Sequence, residues 1–327
     1  MEKGIRAVVL AAGRSTRMKS NRSKVLHRIL GREIIHFLLD ALRSCGIAPE
    51  DTVLVTAKDN RAIKAVVSAP VHFAVQEEQL GTAHALLSAA PFLKNFAGDC
   101  LVTVGDNPYI TGRELTRLIS AHREKRSVCT LLSAVFPQTP PPYGRIVRSP
   151  DGTVAAVVEE MDADEAQRRI REVNASIYLF DNPSVFPLLH EIDNHNRKGE
   201  YYLTDIVGLL RKRGDAVHSV QAEDPIISIG INNRWELQEA QQRFNRNNLR
   251  DWALHRGVTI LQPESVTIEY DVEIGVDSVI YPSTYIARGT RIGRDCRIGP
   301  FAYLDGVTVN DSESVAFERR RREPDTS

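Results

Sequence analysis

Two short segments of this chain carry residues that could act on a phosphate. The first is Leu10-Ala-Ala-Gly13, with Arg17 and Lys24 close behind. Small residues let a backbone approach an anion and turn its N–H groups towards it. Two cations add fixed positive charge. No Gly-Lys-Ser/Thr follows, so this is not a Walker A loop. The second is Asp106, which closes the run Val102-Thr-Val-Gly-Asp. A carboxylate there could hold a divalent cation or simply form the turn, and spacing leaves the two readings even. The nine histidines show no H-E-x-x-H spacing, and the four cysteines are dispersed with no C-x-x-C. A cysteine zinc site and a disulfide framework are therefore not expected, and no Ser-His-Asp order can be argued.

The elements that must position these residues follow from hydrophobic pattern. Residues 5–10 form an aliphatic run leading straight into the small-residue loop. Further aliphatic runs lie at 52–56, 71–75, 99–104 and 127–135, alternating with helix-like segments at about 33–45, 59–68, 82–93 and 112–124. This alternation predicts a parallel sheet covered by helices, with the loop at its carboxyl end, where such folds bind ligands. A proline-rich break at Pro137–Pro142 ends the pattern, and Asp151-Gly152 reads as a hairpin turn. Residues 233–255 are polar, with apolar residues at loosely helical spacing, and predict a helix joining two domains. Beyond it Ile268, Ile274, Ile280, Ile286, Ile292, Ile298 and Leu304 recur every six residues. That period predicts a parallel β-helix whose aliphatics point inward. The register breaks at Asn310, and the arginine-rich segment after it reads as a disordered tail.

Composition bounds the function. The chain has 327 residues, with 42 Lys+Arg against 42 Asp+Glu and a net charge of zero. That length predicts about two domains. Balanced charge argues against a dedicated nucleic-acid binder. No run reaches a membrane span, and the N-terminus lacks a secretory h-region. A soluble protein of a reducing cytoplasm is expected.

Over residues 5–309 the chain resembles the bacterial N-acetylglucosamine-1-phosphate uridyltransferases, which are usually fused to a glucosamine-1-phosphate acetyltransferase. The motifs are Leu10-Ala-Ala-Gly13, Thr16-Arg-Met18, Lys24-Val-Leu-His27, Gln79-Leu-Gly-Thr-Ala-His84, Gly105-Asp106, Tyr143-Gly-Arg-Ile146, Glu172-Val-Asn174, Gly199-Glu-Tyr-Tyr-Leu-Thr-Asp205 and Gly230-Ile-Asn-Asn233. The resemblance implies an α/β fold: a Rossmann-like, mostly parallel nucleotidyltransferase domain (1–231), a linking helix (232–256) and a short left-handed β-helix of hexapeptide repeats (257–309). It implies attack of N-acetylglucosamine 1-phosphate on the α-phosphate of UTP, with Arg17 and Lys24 on phosphate oxygens. Mg²⁺ would be held by Asp106 and Asn232. Leu10, Ala11, Ala12, Gly13, Gln76, Gly81 and Thr82 would hold the nucleotide, and Gly144, Glu159, Asn174 and Thr204 the sugar. It further implies a homotrimer with no nucleic-acid or membrane partner.

Several positions depart from the family pattern. Ser15 stands where glycine is usual, Ser23 where proline is usual, Met161 where lysine is common, and Ala175-Ser176 replaces Thr-Gly. The chain is also too short for the full acetyltransferase, so no acetyl transfer is expected. Two other readings remain open on sequence: the same chemistry on another sugar 1-phosphate, or a nucleotide-sugar-binding relative with weak catalysis.

Overall fold

In the computed structural model, which describes residues 3–13 and 15–322, the chain forms two compact units. One takes the chain as far as Leu26 and again over Ile34–Ile231. The other takes His27–Glu33 and the chain from Asn232 onward. Strands of the first part of the chain are β1 (Ile5–Ala11), β2 (Arg28–Ile29), β3 (Arg32–Glu33), β4 (Thr52–Ala57), β5 (His72–Gln76), β6 (Asp99–Val104), β7 (Cys129–Val135), β8 (Arg145–Arg148), β9 (Val154–Val158), β10 (Glu172–Asp181) and β11 (Val217–Gln221).

The first unit is a nine-stranded sheet in the order β11-β7-β10-β6-β1-β4-β5, with β8 and β9 added beside β10. β1 pairs in parallel with both β4 and β6, whereas β10 runs antiparallel between β6 and β7. β1 is aliphatic throughout because it is covered on both faces. Val8 packs into one apolar layer, and Ala7 and Val9 into the other. The chain leaves β1 towards β4 on one side and reaches β6 on the other. That makes the carboxyl end of β1 a switch point, where a crevice opens. The Asp151-Gly152 turn joins β8 to β9 as expected, with Gly152 at φ +82°.

Residues 27–33, read from sequence as part of the first domain, belong to the second unit. Leu30 and Gly31 have φ +46° and +78° and turn β2 back onto β3. The Leu30 carbonyl accepts the Tyr270 N–H at 3.1 Å. A Cβ on Gly31 would lie 2.6 Å from the Glu269 carboxylate, and its φ of +78° favours glycine in the turn.

The helix Arg234–His255, expected to join two domains, falls within the second unit. Its asparagines, read as mere polarity, pin the first coil: Asn245 and Asn248 donate to the carbonyls of Val266 and Ile268 at 2.7 and 2.8 Å. Ala240, Leu249 and Trp252 are buried, but Trp235 is exposed and donates to Glu239.

The hexads build a short parallel β-helix. Its strands are β12 (Thr259–Ile260), β13 (Thr267–Ile268), β14 (Glu273–Ile274), β15 (Val279–Ile280), β16 (Tyr285–Ala287), β17 (Arg291–Ile292), β18 (Arg297–Ile298), β19 (Tyr303–Asp305), β20 (Thr308–Val309), β21 (Ser314–Val315) and β22 (Arg319–Arg321). They stack into three sheets, β12-β15-β18-β21, β13-β16-β19-β22 and β14-β17-β20. All seven aliphatics of the repeat are buried in one core. A second ladder of small residues, Ser278, Thr284, Thr290, Cys296 and Ala302, lies two positions ahead and is also buried. Cys296 is thus a small core residue.

The break at Asn310 is a one-residue deletion, not the end of the coils. Val309 takes the interior place that a strict repeat would give to Asn310, and Val315 follows six residues later. Arg319–Arg321 pairs with β19, so the segment read as a disordered tail is ordered through Arg322; Glu323–Ser327 lie outside the described residues. This register predicts opposite outcomes for neighbouring alanines. Val309→Ala removes buried methyls and costs about 2 kcal/mol in denaturant unfolding of the second unit. Asn310→Ala, at an exposed position, changes it by less than about 0.5 kcal/mol.

Candidate active site

The crevice at the carboxyl end of β1 has a volume of about 740 Å³ and is walled by loops from β1, β5 and β6. Leu10, Ala11, Ala12, Gly13 and Lys24 line it on one side, and Gln76, Gly81 and Thr82 on another, with Asp106 at its floor. The structure thus brings together all seven residues read as nucleotide-binding, one of the two cations and the carboxylate. Arg17 is exposed on the turn Thr16–Met18 and does not line the crevice.

The Lys24 ammonium pairs with the Asp106 carboxylate, and both side chains are largely buried. The backbone makes this meeting possible. The Gly105 N–H donates to the Leu10 carbonyl at 2.9 Å, tying the end of β6 to the end of β1. A Cβ on Gly105 would meet Ala11, Val25 and Val9 at 3.2–3.3 Å. On the far side, the Ile231 N–H donates to the Asp106 carbonyl at 2.9 Å. Gly230 passes so close that a Cβ there would sit 3.0 Å from Asp106 Oδ1. The next residue, Asn107, is buried and holds the turn by donating to the Ile227 carbonyl and accepting the Tyr109 N–H. Sequence reading passed over Asn107 because its role depends on a partner 120 residues away.

Ser15 has φ +54°, in the left-handed region where glycine is at home. Its hydroxyl recovers part of that cost. Oγ accepts the Lys24 N–H at 3.0 Å and donates to the Gly13 carbonyl at 3.3 Å. The serine therefore ties the phosphate loop to the residue that carries the cation.

On the opposite wall, Gln76 is buried and Nε2 donates to the Gly81 carbonyl at 3.0 Å and to His84 Nδ1 at 3.1 Å. The histidine role was not legible from sequence. With both amide hydrogens taken up, the group Gln76 presents to a ligand is its carbonyl oxygen. Gly81 has φ +129°, and a Cβ there would come within 2.4 Å of the Tyr201 backbone. Two backbone bonds, Tyr201 N–H to Leu80 and Ala83 N–H to Tyr201, zip these loops together, and Thr82 Oγ1 accepts the Leu203 N–H. The adjoining Gly199 and Glu200, which open a motif noted in the sequence, also reach the crevice, as does Lys198, which was not singled out from sequence.

The four residues read as sugar-binding lie outside that lining but form a cluster of their own. Asn174 N–H donates to the Gly144 carbonyl at 2.8 Å. A Cβ on Gly144 would lie 3.4 Å from Glu159 Oε1, which accepts the Thr204 hydroxyl at 3.2 Å. Asn174 Nδ2 donates to the Tyr178 hydroxyl, fixing its orientation. Burial pushes the Glu159 carboxyl above its ordinary range, against the lowering effect of the Thr204 hydrogen bond. Beside it, the Asp205 carboxyl is pushed up to about 6, chiefly by burial and then by Asp193 and Asp162. Ser176, in the departure after Asn174, has φ +57° inside a bulge of β10.

Residues 7–177 match the MobA-like NTP transferase domain. The chain is 41% identical over 313 residues to the bifunctional protein GlmU of Brevibacillus brevis, covering 96% of this chain and 67% of that protein. The chain belongs to the GlmU family. Its relative from Heliobacterium modesticaldum is 42% identical, with 96% of this chain and 69% of the relative covered. For Geobacillus thermodenitrificans GlmU the identity is 40%, over 94% and 66%. The chain spans about two-thirds of the length of these GlmU relatives. Its first unit is a nucleotidyltransferase domain, and no helix among the described residues is long and apolar enough to cross a membrane. Nucleotidyltransferases of the GlmU family generally work with a divalent metal. The residues present fit one. Asp106 offers carboxylate oxygens in a recess that a Cβ on Gly230 would fill, and no cluster of three or more His, Cys, Asp or Glu competes among the described residues.

Two outcomes follow from this geometry. Ser15→Gly relieves the left-handed strain, and turnover, followed as pyrophosphate release, is expected to equal or exceed that of the natural chain. Ser15→Ala keeps the strain and loses the bond to the Lys24 N–H, so it should be the slower of the two. Asp205 gives a pH signature. Its folded pKa lies above the unfolded value, so its stabilising contribution is full below about pH 4 and is lost as pH rises through about 6. Asp205→Asn removes that titration. It should raise Tm by about 2–4 °C at pH 7.5 and leave it unchanged at pH 4, as followed by thermal melts.

Proposed function

We propose that the first unit joins UTP and N-acetylglucosamine 1-phosphate to give UDP-N-acetylglucosamine and pyrophosphate. The pairing of Lys24 with Asp106 at the floor of the crevice carries this reading. It sets a phosphate-seeking cation and a metal-seeking carboxylate side by side at the end of β1. In the reaction a phosphate oxygen of the sugar phosphate forms a bond to the α-phosphorus. The bond from that phosphorus to the bridging oxygen breaks, and pyrophosphate leaves with its electron pair. The nucleophile is already an anion, so no general base is needed, and catalysis reduces to positioning and charge neutralisation.

Each residue has a task in that scheme. The backbone of Leu10–Gly13 approaches the triphosphate, and Lys24 exchanges the Asp106 carboxylate for a phosphate oxygen. The Gln76 carbonyl oxygen accepts from the uracil imide N–H. A base without a donor there would leave that buried oxygen unpaired. Gly144, Glu159, Asn174 and Thr204 hold the sugar hydroxyls and N-acetyl group. Arg17, exposed on its turn, would have to swing inward to reach a phosphate. Mg²⁺, held by Asp106 and by Asn232 two residues beyond Gly230, would supply charge neutralisation at the phosphates and keep several waters. The chain works in the cytoplasm as a homotrimer assembled through its β-helix unit.

Pyrophosphate release with UTP, Mg²⁺ and a panel of sugar 1-phosphates tests the reading. Release confined to N-acetylglucosamine 1-phosphate is expected; silence across the panel would overturn it. Asp106→Ala should lower turnover by at least about 10³-fold while a thermal melt still shows a folded chain that unfolds cooperatively. Turnover within about tenfold of the natural chain would remove the metal assignment.

A further inference from the structure

Behind Glu159 and Thr204 lies a second cavity of about 450 Å³, enclosed by β9, the segment Glu191–Asn196 and the helix Ile206–Lys212. It shares no lining residue with the crevice that holds Lys24. Five carboxylates line it, those of Glu159, Asp162, Glu191, Asp193 and Asp205, against one lysine, Lys212, and one histidine, His195. Lys212 acts on Asp193, and His195 lies 3.4 Å from the same carboxylate. Lys198, which lies outside this lining, acts on Glu159, and no cation forms an ion pair with Glu159, Asp162 or Asp205 among the described residues.

A cluster of acids alone would be a solvated face. Tyr202 makes this one different. It is only 6% exposed, lines the cavity, and its hydroxyl has no hydrogen-bond partner among the described residues. One oxygen of Asp162 is in the same state, while the other accepts the Arg197 N–H at 3.0 Å. A buried hydroxyl left unmade costs about 1–3 kcal/mol, so its retention points to a ligand that completes it. The remaining wall is apolar, supplied by Val157, Ile192 and Leu209.

We propose that this cavity is a binding site for a small organic ammonium ion, no larger than a monosaccharide. An ammonium carries three donors and no acceptor, which suits a wall of carboxylate and phenol oxygens. Glu159 and Asp205 are partly desolvated, and a cation beside them would offset the cost that burial puts on their charge. The apolar wall accepts the carbon body. A phosphate ester is excluded by the same charges. Since Glu159 and Thr204 belong both to this wall and to the proposed sugar cluster, occupancy would alter how those side chains meet the sugar.

The test is direct binding to the whole chain and needs no turnover, so its result is independent of the uridyltransferase reading. Cyclohexylammonium is titrated by calorimetry at neutral pH, with cyclohexanol as a neutral probe of the same size. Saturable binding in the millimolar range is expected for the ammonium, and binding at least about tenfold weaker for the alcohol. Tyr202→Phe and Asp205→Asn should each weaken the ammonium by about fivefold or more, whereas Asp106→Asn should not change it. Tyr202→Phe removes an unpaired buried hydroxyl, so its fold should be retained, which a thermal melt checks. Equal binding of the alcohol, no saturation, or binding untouched by both cavity variants would overturn the proposal.

Discussion

The ion pair of Lys24 and Asp106 is the constraint around which the first unit is arranged. Both side chains are largely withdrawn from water, so neither charge can be held there without the other or a replacement. Asp106 follows the end of β6, whereas Lys24 opens the turn Lys24–Leu26 on the loop after β1, and the two meet where β1 lies beside β6. Everything nearby serves that approach. Gly105 lets the end of β6 close on Ala11 and Val25, and Gly230 passes against the carboxylate without a side chain. A cation already held in a shaped recess loses little on exchanging a carboxylate for a phosphate, which is what preorganised charge stabilisation requires.

Backbone conformation sets a second constraint, and it explains the departures from the family pattern. Ser15 and Ser176 stand where glycine is usual, and both have φ near +55°. The fold has kept the left-handed turn and accepted the strain. At Ser15 the hydroxyl bond to the Lys24 N–H offsets part of it, so the substitution changes how the lysine is held. No such hydroxyl bond is seen at Ser176, where the cost stands uncompensated in these contacts. Gly81 shows the limit of such tolerance. Its φ of +129° and the Tyr201 backbone within 2.4 Å of a would-be Cβ leave no room for any side chain.

The sheet was legible because strands buried on both faces read as aliphatic runs, as Val8 and Val9 do on β1. The coils were legible because a fixed period places Ile268 to Leu304 in one core. What escaped depended on distant partners or on a slip of one residue. The turn at Leu30-Gly31 is visible locally, but nothing local says that it belongs with Tyr270. The deletion before Val309 hid two further strands behind an apparent tail. Gly144, Glu159, Asn174 and Thr204 come from separated stretches, so resemblance alone could group them; the hydrogen bonds that join them lie beyond any periodicity. Composition was least informative of all. A net charge of zero conceals a crevice with a lysine at its floor and a cavity lined by five carboxylates.

That segregation has a functional consequence. A substrate carrying several phosphates is drawn to whichever recess offers a cation, and repelled by one lined with acids. In this unit Glu159 and Thr204 of the sugar cluster line the acidic recess, and none of the cluster lines the other. Phosphates are therefore favoured in the crevice lined by Lys24 and Lys198, and the sugar end is the part left to approach Glu159. Burial holds the Glu159 carboxyl above its usual range, which makes it a hydrogen-bonding partner sensitive to any charge placed behind it. A cation in the acidic cavity would favour the charged form of Glu159 and so favour it as an acceptor. Glu159 thus stands at once in the sugar cluster and in the wall of the acidic cavity.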